Sequence, residues 1–150
     1  MAGNRTGKQI ILRLLFVLYG GLMLWLLFGQ RASGDMTASQ NWNLIPFKTL
    51  KLYVQIIVQT ENAQLLRHAF INLAGNVVMF IPLGFFLPAI WRRQQKIWLF
   101  LVSVILLIVG IEAAQYITNL GSCDVDDFLL NLPGALLGYI LQRLIAGRRR

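Results

Sequence analysis

The sequence contains few charged side chains and almost none of the residues that bind metals tightly. Charged residues account for 13% of its 150 residues, about half the share found in an average soluble domain. One cysteine, Cys123, excludes an intrachain disulfide and a cysteine-rich metal site, and the only histidine is His68. The chain also lacks a glycine-rich phosphate-binding loop. These absences exclude disulfide-stabilised domains, zinc–cysteine sites and phosphate-loop enzymes.

Apolar side chains make up 57% of the chain, and most of them fall in four long segments. The segments cover residues 10–29, 69–90, 97–118 and 126–145, and each reaches the roughly 20 residues that a membrane-crossing helix needs. The first segment follows basic residues as a signal peptide does, but it is longer than the about 7–15 apolar residues typical of one. We therefore expect an all-α membrane protein, with a single domain over residues 1–150 and four transmembrane helices.

Lys and Arg are distributed unevenly between the two ends of these segments. Ten of the 14 lie in the N-terminal stretch, in the turn at 91–96 or in the C-terminal tail from Arg143, and four lie between residues 30 and 68. Because cytoplasmic loops are enriched in Lys and Arg, this distribution predicts that both termini are cytoplasmic and that residues 30–68 form a long outer loop. The net charge of +8 is then explained by membrane orientation, and no nucleic-acid partner is expected.

The predicted outer loop carries one amphipathic stretch. Five apolar residues recur there at helical spacing, namely Phe47, Leu50, Val54, Ile57 and Val58. This pattern is typical of a short helix that lies in the membrane interface with its apolar face toward the lipid. A loop packed against the rest of the protein is the alternative interpretation.

Polar side chains occur inside three of the four apolar segments. Glu112 is the clearest case, because a carboxylate inside a membrane helix is expensive and normally faces a polar interior. Each of the three segments holds a pair of polar residues three or four positions apart, which places both on one helix face. The pairs are Asn72 and Asn76, Glu112 and Gln115, and Asp127 and Asn131.

The three pairs are predicted to lie at a similar depth. Asn76, Glu112 and Asp127 each lie 15 or 16 residues from the residue that marks the cytoplasmic end of their helix, or about 22–24 Å. In a hydrocarbon core about 30 Å thick, this is the outer third. We therefore expect a shared polar pocket that opens outward beneath the outer loop. The predicted ligand-binding residues are Asn72, Asn76, Glu112, Gln115, Asp124, Asp126, Asp127 and Asn131.

A purely structural role is the alternative for these residues. Asn, Gln and Glu can join membrane helices by hydrogen bonds. Asp126 and Asp127 can cap the N-terminus of the fourth helix, where the helix dipole favours negative charge. Carboxylate and amide oxygens also suit a divalent cation, but no spacing in the sequence is diagnostic of one. No cofactor is predicted, and no metal ligand is assigned.

Five short motifs carry a family resemblance. In chain order they are Asn43–Phe47, Asn72–Asn76, Phe80–Phe85, Glu112–Gln115 and Asp124–Asp127. With these motifs the chain resembles the VanZ-like family, whose founding member is linked to low-level resistance to the glycopeptide teicoplanin. The resemblance implies a multi-pass protein of the bacterial cell membrane, with a pocket facing the cell envelope. The family often has an arginine immediately before the acidic motif, whereas this chain has Gly121–Cys123 there.

Three functions are compatible with such a pocket. The first is binding of a cell-envelope lipid or a glycopeptide, with Glu112 and Asp127 as anchors, and a contribution to teicoplanin resistance. The second is an intramembrane enzyme acting on a lipid or cell-wall precursor, in which Glu112 or Asp127 is the acid or base, with or without a metal ion. The third is a small transporter, which four spans without an internal repeat disfavour unless the protein forms a homo-oligomer.

Overall fold

The computed structural model describes residues 2–29, 42–120 and 123–148, and nearly all of them are helical. In chain order the elements are α1 (Ala2–Leu24), a π-helical continuation (Trp25–Gly29), β1 (Trp42–Asn43), α2 (Lys48–Gln59), α3 (Ala63–Ile90), a 3-10 helix (Arg92–Gln95), α4 (Ile97–Thr118), β2 (Cys123–Asp124) and α5 (Val125–Gly147). Within these residues four helical stretches are long and apolar enough to cross a membrane, and they run over Thr6–Gly29, α3, α4 and α5. The predicted all-α architecture with four such helices is therefore confirmed.

Helix α3 begins six residues before the apolar segment predicted at 69–90, because a side-chain cap precedes it. The Asn62 side-chain oxygen accepts hydrogen bonds from the backbone N–H groups of Gln64 (2.9 Å) and Leu65 (3.3 Å). Such a cap satisfies N–H groups that have no partner within the helix. The helix can therefore begin among polar residues, several positions before the apolar segment starts.

The closest helix pair is α3 with α5, and glycines allow their backbones to touch. A Cβ atom added at Gly134 would collide with the carbonyl oxygen of Val77, and one at Gly138 would collide with that of Ile81. Gly84 of α3 has the same relation to the Ala135 carbonyl of α5. Small residues at helix contacts let membrane helices pack closely where no hydrophobic effect drives them together. These glycines fix the distance between the two helices that carry much of the site.

Helix α4 completes the core by packing on this pair. Three of its side chains, Phe100, Val104 and Ile108, are 0% exposed, as are Phe80 of α3 and Ala135 of α5. The Phe100 ring also lies 4.6 Å from the Tyr139 ring of α5, measured between centroids. The outward faces of the helices remain apolar and exposed, for example at Leu106 (67%) and Ile117 (77%). Exposed apolar faces of this extent fit a lipid environment.

Helix α1 is attached less extensively than the other three. Only 6% of its most apolar window is buried, against 22–28% for the others. Its cytoplasm-proximal half, in the predicted orientation, packs through aromatic rings: Phe16 lies 6.0 Å from Phe86 and 5.4 Å from Trp91, between centroids. Tyr19 lies 6.1 Å from Phe86. Its other half, toward the π-helical continuation, faces a cavity.

The segment between α1 and α3 contains regular structure as well as loop. Its amphipathic stretch forms α2, so the helical interpretation is confirmed over the packed loop. Strand β1 pairs in parallel with β2, with Asn43 opposite Asp124. Residues 30–41 of the predicted outer loop lie outside the described residues. That α2 lies in the membrane interface stays a prediction.

Candidate functional site

Asn76 and Asp127 link α3 to α5 inside the helix bundle. The Asn76 side-chain nitrogen donates a hydrogen bond of 2.5 Å to the Asp127 carboxylate. The close backbone approach at Gly134 brings these two helices near enough for such short side chains to meet. A charge-assisted hydrogen bond of this kind is among the stronger ones in proteins. The predicted meeting of the second and fourth spans therefore occurs through these two residues.

Glu112 connects α4 to the start of α5. Its side chain is 8% exposed, and its carboxylate accepts a hydrogen bond of 3.1 Å from the backbone N–H of Asp124. A buried carboxylate is tolerated only where hydrogen bonds or charges compensate for lost hydration. This contact places the Glu112 carboxylate beside the first turn of α5, on the same side of the bundle as Asp127.

A cavity of about 500 Å³ lies between α1, α3, α4 and α5. Six of the eight predicted residues line it, and these are Asn72, Asn76, Glu112, Gln115, Asp127 and Asn131. The rest of the lining is mostly apolar and comes from the first span and from α3. The polar pairs of three helices therefore share one cavity, as the helical spacing predicts.

Asn131 lies at the polar wall with an unsatisfied group. The side chain is 2% exposed, and its oxygen has no hydrogen-bond partner among the described residues. Most buried polar atoms in proteins have a partner. The neighbouring amides are engaged: Gln115 donates to the Leu27 carbonyl at 3.2 Å, and Asn72 donates to the His68 carbonyl at 2.9 Å. The polar wall thus offers an acceptor that a bound donor could satisfy.

Asp126 lies outside the cavity and holds the N-terminus of α2. Its carboxylate accepts hydrogen bonds from the backbone N–H groups of Phe47 (2.6 Å), Thr49 (2.8 Å) and Leu50 (3.1 Å). These are N–H groups that a helix start leaves without partners. Asp126 does lie in the first turn of α5, where the helix dipole favours its charge, but the side-chain cap of α5 is Asp124 and the Asp126 carboxylate caps α2.

Asp124 also lies outside the cavity lining and completes this outer contact. Its carboxylate accepts hydrogen bonds from the Asn43 side chain (3.0 Å) and the Thr49 hydroxyl (2.6 Å). The same carboxylate caps α5 by accepting the N–H of Asp126 at 2.9 Å. We call these four residues, Asn43, Thr49, Asp124 and Asp126, the outer clasp. The clasp fastens β1 and α2 onto the start of α5.

The apolar wall of the cavity includes residues that sequence reasoning missed. Tyr19, Met23 and Leu27 of the first span all line it. The Tyr19 hydroxyl donates a hydrogen bond of 2.6 Å to the Met79 carbonyl of α3. A hydroxyl in the middle of an apolar span needs a partner inside the protein. The isolated tyrosine was therefore a signal, present in the sequence, that this face of α1 points inward.

Comparison with known proteins gives a family for this chain. The family model VanZ/LLP1 matches residues 16–146, which is most of the chain. The chain belongs to the VanZ/LLP1 family. No curated protein and no solved structure matches it. The matched range of this VanZ/LLP1 protein contains both the cavity and the outer clasp.

The cavity of this VanZ/LLP1 protein is acidic on one side and apolar on the other. Among the described residues its lining includes two carboxylates, those of Glu112 and Asp127, and no Lys, Arg or His. Within the same part of the chain, no group of three or more His, Cys, Asp or Glu residues is arranged to hold a metal ion. Carboxylates with amides in a low-dielectric setting attract cations and hydrogen-bond donors strongly.

Proposed function

We propose that this membrane protein binds a cell-envelope ligand in its acidic cavity, with Glu112 and Asp127 holding an ammonium or other donor group of the ligand. The observation that carries the proposal is the convergence of two carboxylates in a cavity of about 500 Å³ whose described lining contains no basic residue. Two carboxylates in a setting of low dielectric constant would attract a positively charged ligand group strongly. The Asn131 oxygen would accept a further hydrogen bond.

The proposed orientation has both termini in the cytoplasm of a bacterial cell and the cavity in the outer part of the membrane. It is supported by the excess of Lys and Arg on the side of the termini. A cavity in this position would meet lipid headgroups or a glycopeptide arriving from the envelope. We propose that the protein contributes in this way to teicoplanin resistance, for which the family name is the support.

Ligand binding can be tested by thermal unfolding of the purified protein. A ligand at 100 times its dissociation constant stabilises the folded state by about 2.7 kcal/mol. Teicoplanin and individual envelope lipids form the two arms, because both sources carry amines. The stabilisation should vanish in Glu112→Gln and Asp127→Asn but persist in Glu61→Gln, which removes an exposed carboxylate before α3. No stabilisation in either arm, or equal stabilisation in all variants, would contradict the proposal.

The resistance role is tested in cells. Expression of the protein in a teicoplanin-sensitive strain should raise the inhibitory concentration of teicoplanin, and Glu112→Gln at equal membrane abundance should not. Glu61→Gln is again the matched control. An unchanged inhibitory concentration with the wild-type protein would contradict a role in resistance while leaving lipid binding intact.

An intramembrane enzyme is the second candidate, and one observation favours it. Glu112 and Asp127 come from different helices and reach one cavity, which is an arrangement that lets one act as an acid and the other as a base. Lipid extracts from cells expressing wild type, Glu112→Gln or Asp127→Asn would then differ in one lipid or cell-wall precursor by mass spectrometry. Identical extracts would argue against catalysis, and sensitivity to chelators would indicate a divalent cation.

A further inference from the structure

The cavity has an apolar edge between α1 and α3 that is open on the outside of the bundle. Four lining residues are substantially exposed, namely Leu22 (54%) of α1, Leu26 (39%) of its π-helical continuation, and Ile71 (55%) and Val78 (60%) of α3. All four belong to helices that are long and apolar enough to cross the membrane. Side chains in such helices that line a cavity and are also exposed lie at the edge of an opening toward the lipid. We call these four residues the lateral edge.

Two hydrogen bonds, one to α3 and one to α4, hold the first span on either side of this opening. Tyr19 bonds to the Met79 carbonyl at one end, and the Leu27 carbonyl accepts a bond from Gln115 at the other. The α1 residues involved are eight positions apart, which corresponds to about 12 Å of helix. The aromatic contacts of Phe16 with Phe86 and Trp91 secure α1 beyond the Tyr19 end. Helix α1 is therefore pinned on both sides of the opening.

We propose that the ligand reaches the acidic wall sideways from the membrane through the lateral edge, and that it is a lipid with an amine in its headgroup. The inference rests on the proposed ligand binding. A hydrocarbon chain can lie against the lateral edge at little cost, since lipid tails and these side chains are equally apolar. The amine can then meet the carboxylates of Glu112 and Asp127 across the cavity.

The depth of the polar wall suits a lipid of the outer leaflet. The polar residues lie about 22–24 Å from the inner surface of a core about 30 Å thick. A headgroup would therefore descend about 6–8 Å from the outer surface to reach them. A lipid makes this movement by shifting along its own axis, whereas a water-soluble ligand gains nothing from an apolar opening to the bilayer.

The test compares two probes that share one headgroup. Lysophosphatidylethanolamine carries a hydrocarbon chain, and glycerophosphoethanolamine does not. Val78→Trp and, independently, Ile71→Trp narrow the lateral edge, while Leu106→Trp places the same side chain on the exposed face of α4, outside the cavity lining. Association rates are measured with the whole protein in nanodiscs free of ethanolamine lipids.

The expected result is a selective effect on the chain-bearing probe. Each lateral-edge variant should slow association of lysophosphatidylethanolamine at least tenfold more than that of glycerophosphoethanolamine, and Leu106→Trp should slow neither. Asp127→Asn should weaken both probes. Equal slowing of both probes, or no slowing in either lateral-edge variant, would overturn the lateral route and leave ligand binding standing. Failure of the wild-type protein to bind either probe would overturn the assignment of an amine-bearing lipid, and the teicoplanin arm of the unfolding test would then decide whether the proposed ligand binding stands.

Discussion

Asp126 shows how one side chain can stabilise a helix to which it does not belong. It accepts three backbone N–H groups at the start of α2. Hydrogen bonds to a charged group contribute more than neutral ones, and buried donors left without partners are costly. We predict that Asp126→Ala lowers the free energy of unfolding by about 3 kcal/mol, measured by denaturation in detergent. Asp126→Asn, which keeps one acceptor oxygen, should lose less, and wild-type stability in Asp126→Ala would contradict this role.

For Asn131 we predict that substitution does not lower the free energy of unfolding of the protein without ligand. Its buried oxygen has no partner among the described residues, so the unliganded protein bears the cost of that group. Asn131→Leu, which keeps the branching of the side chain at Cγ, removes the polar group. We expect the variant without ligand to be as stable as the wild type or more stable by about 1 kcal/mol. It should also lose part of the stabilisation by ligand, and a large loss of stability without ligand would show that Asn131 is structural.

At this scale, helical spacing predicted the grouping of residues better than their individual contacts. Spacings of three and four residues on three helices were enough to bring Asn76, Glu112 and Asp127 to one cavity. The contacts of Asp126 were beyond this reasoning, because its partner Phe47 is 79 residues away in sequence. Nothing in local periodicity encodes such a pairing. Tyr19 was missed because the first span holds no pair of polar residues three or four positions apart.

Among the helices, the contact of α3 with α5 should be the least tolerant of added volume. A Cβ at Gly138 would collide with the Ile81 carbonyl, while one at Gly110 on α4 would meet nothing within 4 Å. Overpacking a tight contact typically costs about 1–3 kcal/mol, and replacing an exposed helical glycine by alanine gains up to about 1 kcal/mol. We predict that Gly138→Ala destabilises the protein and Gly110→Ala does not, as measured by thermal unfolding. Equal effects would contradict the close contact.

Hydropathy located the helices but not their ends. The four apolar segments all correspond to helices in the structure. The start of α3 at Ala63 depends on Asn62, a polar cap that a search for apolar residues passes over. The short outer helix was found by its periodicity, yet its attachment by the outer clasp required the start of α5 to be brought close in space. Boundaries and attachments therefore depended on polar contacts that apolar patterns do not report.

For the whole molecule, the central prediction is its orientation in the membrane. In the described part of the chain, four helices are long and apolar enough to cross; four crossings would place both ends of the chain on one side, and the positive-inside rule predicts that this side is the cytoplasm. In a Cys123→Ser background, Gln59→Cys should react with a membrane-impermeant maleimide in intact cells. Arg93→Cys, in the turn between α3 and α4, should react only after lysis. The reverse labelling pattern would show the opposite orientation, with the cavity toward the cytoplasm.

The outer clasp links parts of the chain that leave the ribosome far apart in time. Asn43 is synthesised 81 residues before its partner Asp124, and α3 and α4 are made between them. The N–H groups at the beginning of α2 therefore gain their protein partner only after Asp126 has been synthesised. In a nascent chain halted before that point, the segment around α2 would be unfastened and more open to proteolysis. The pairing of β1 with β2 can thus form only in chains whose synthesis has reached α5.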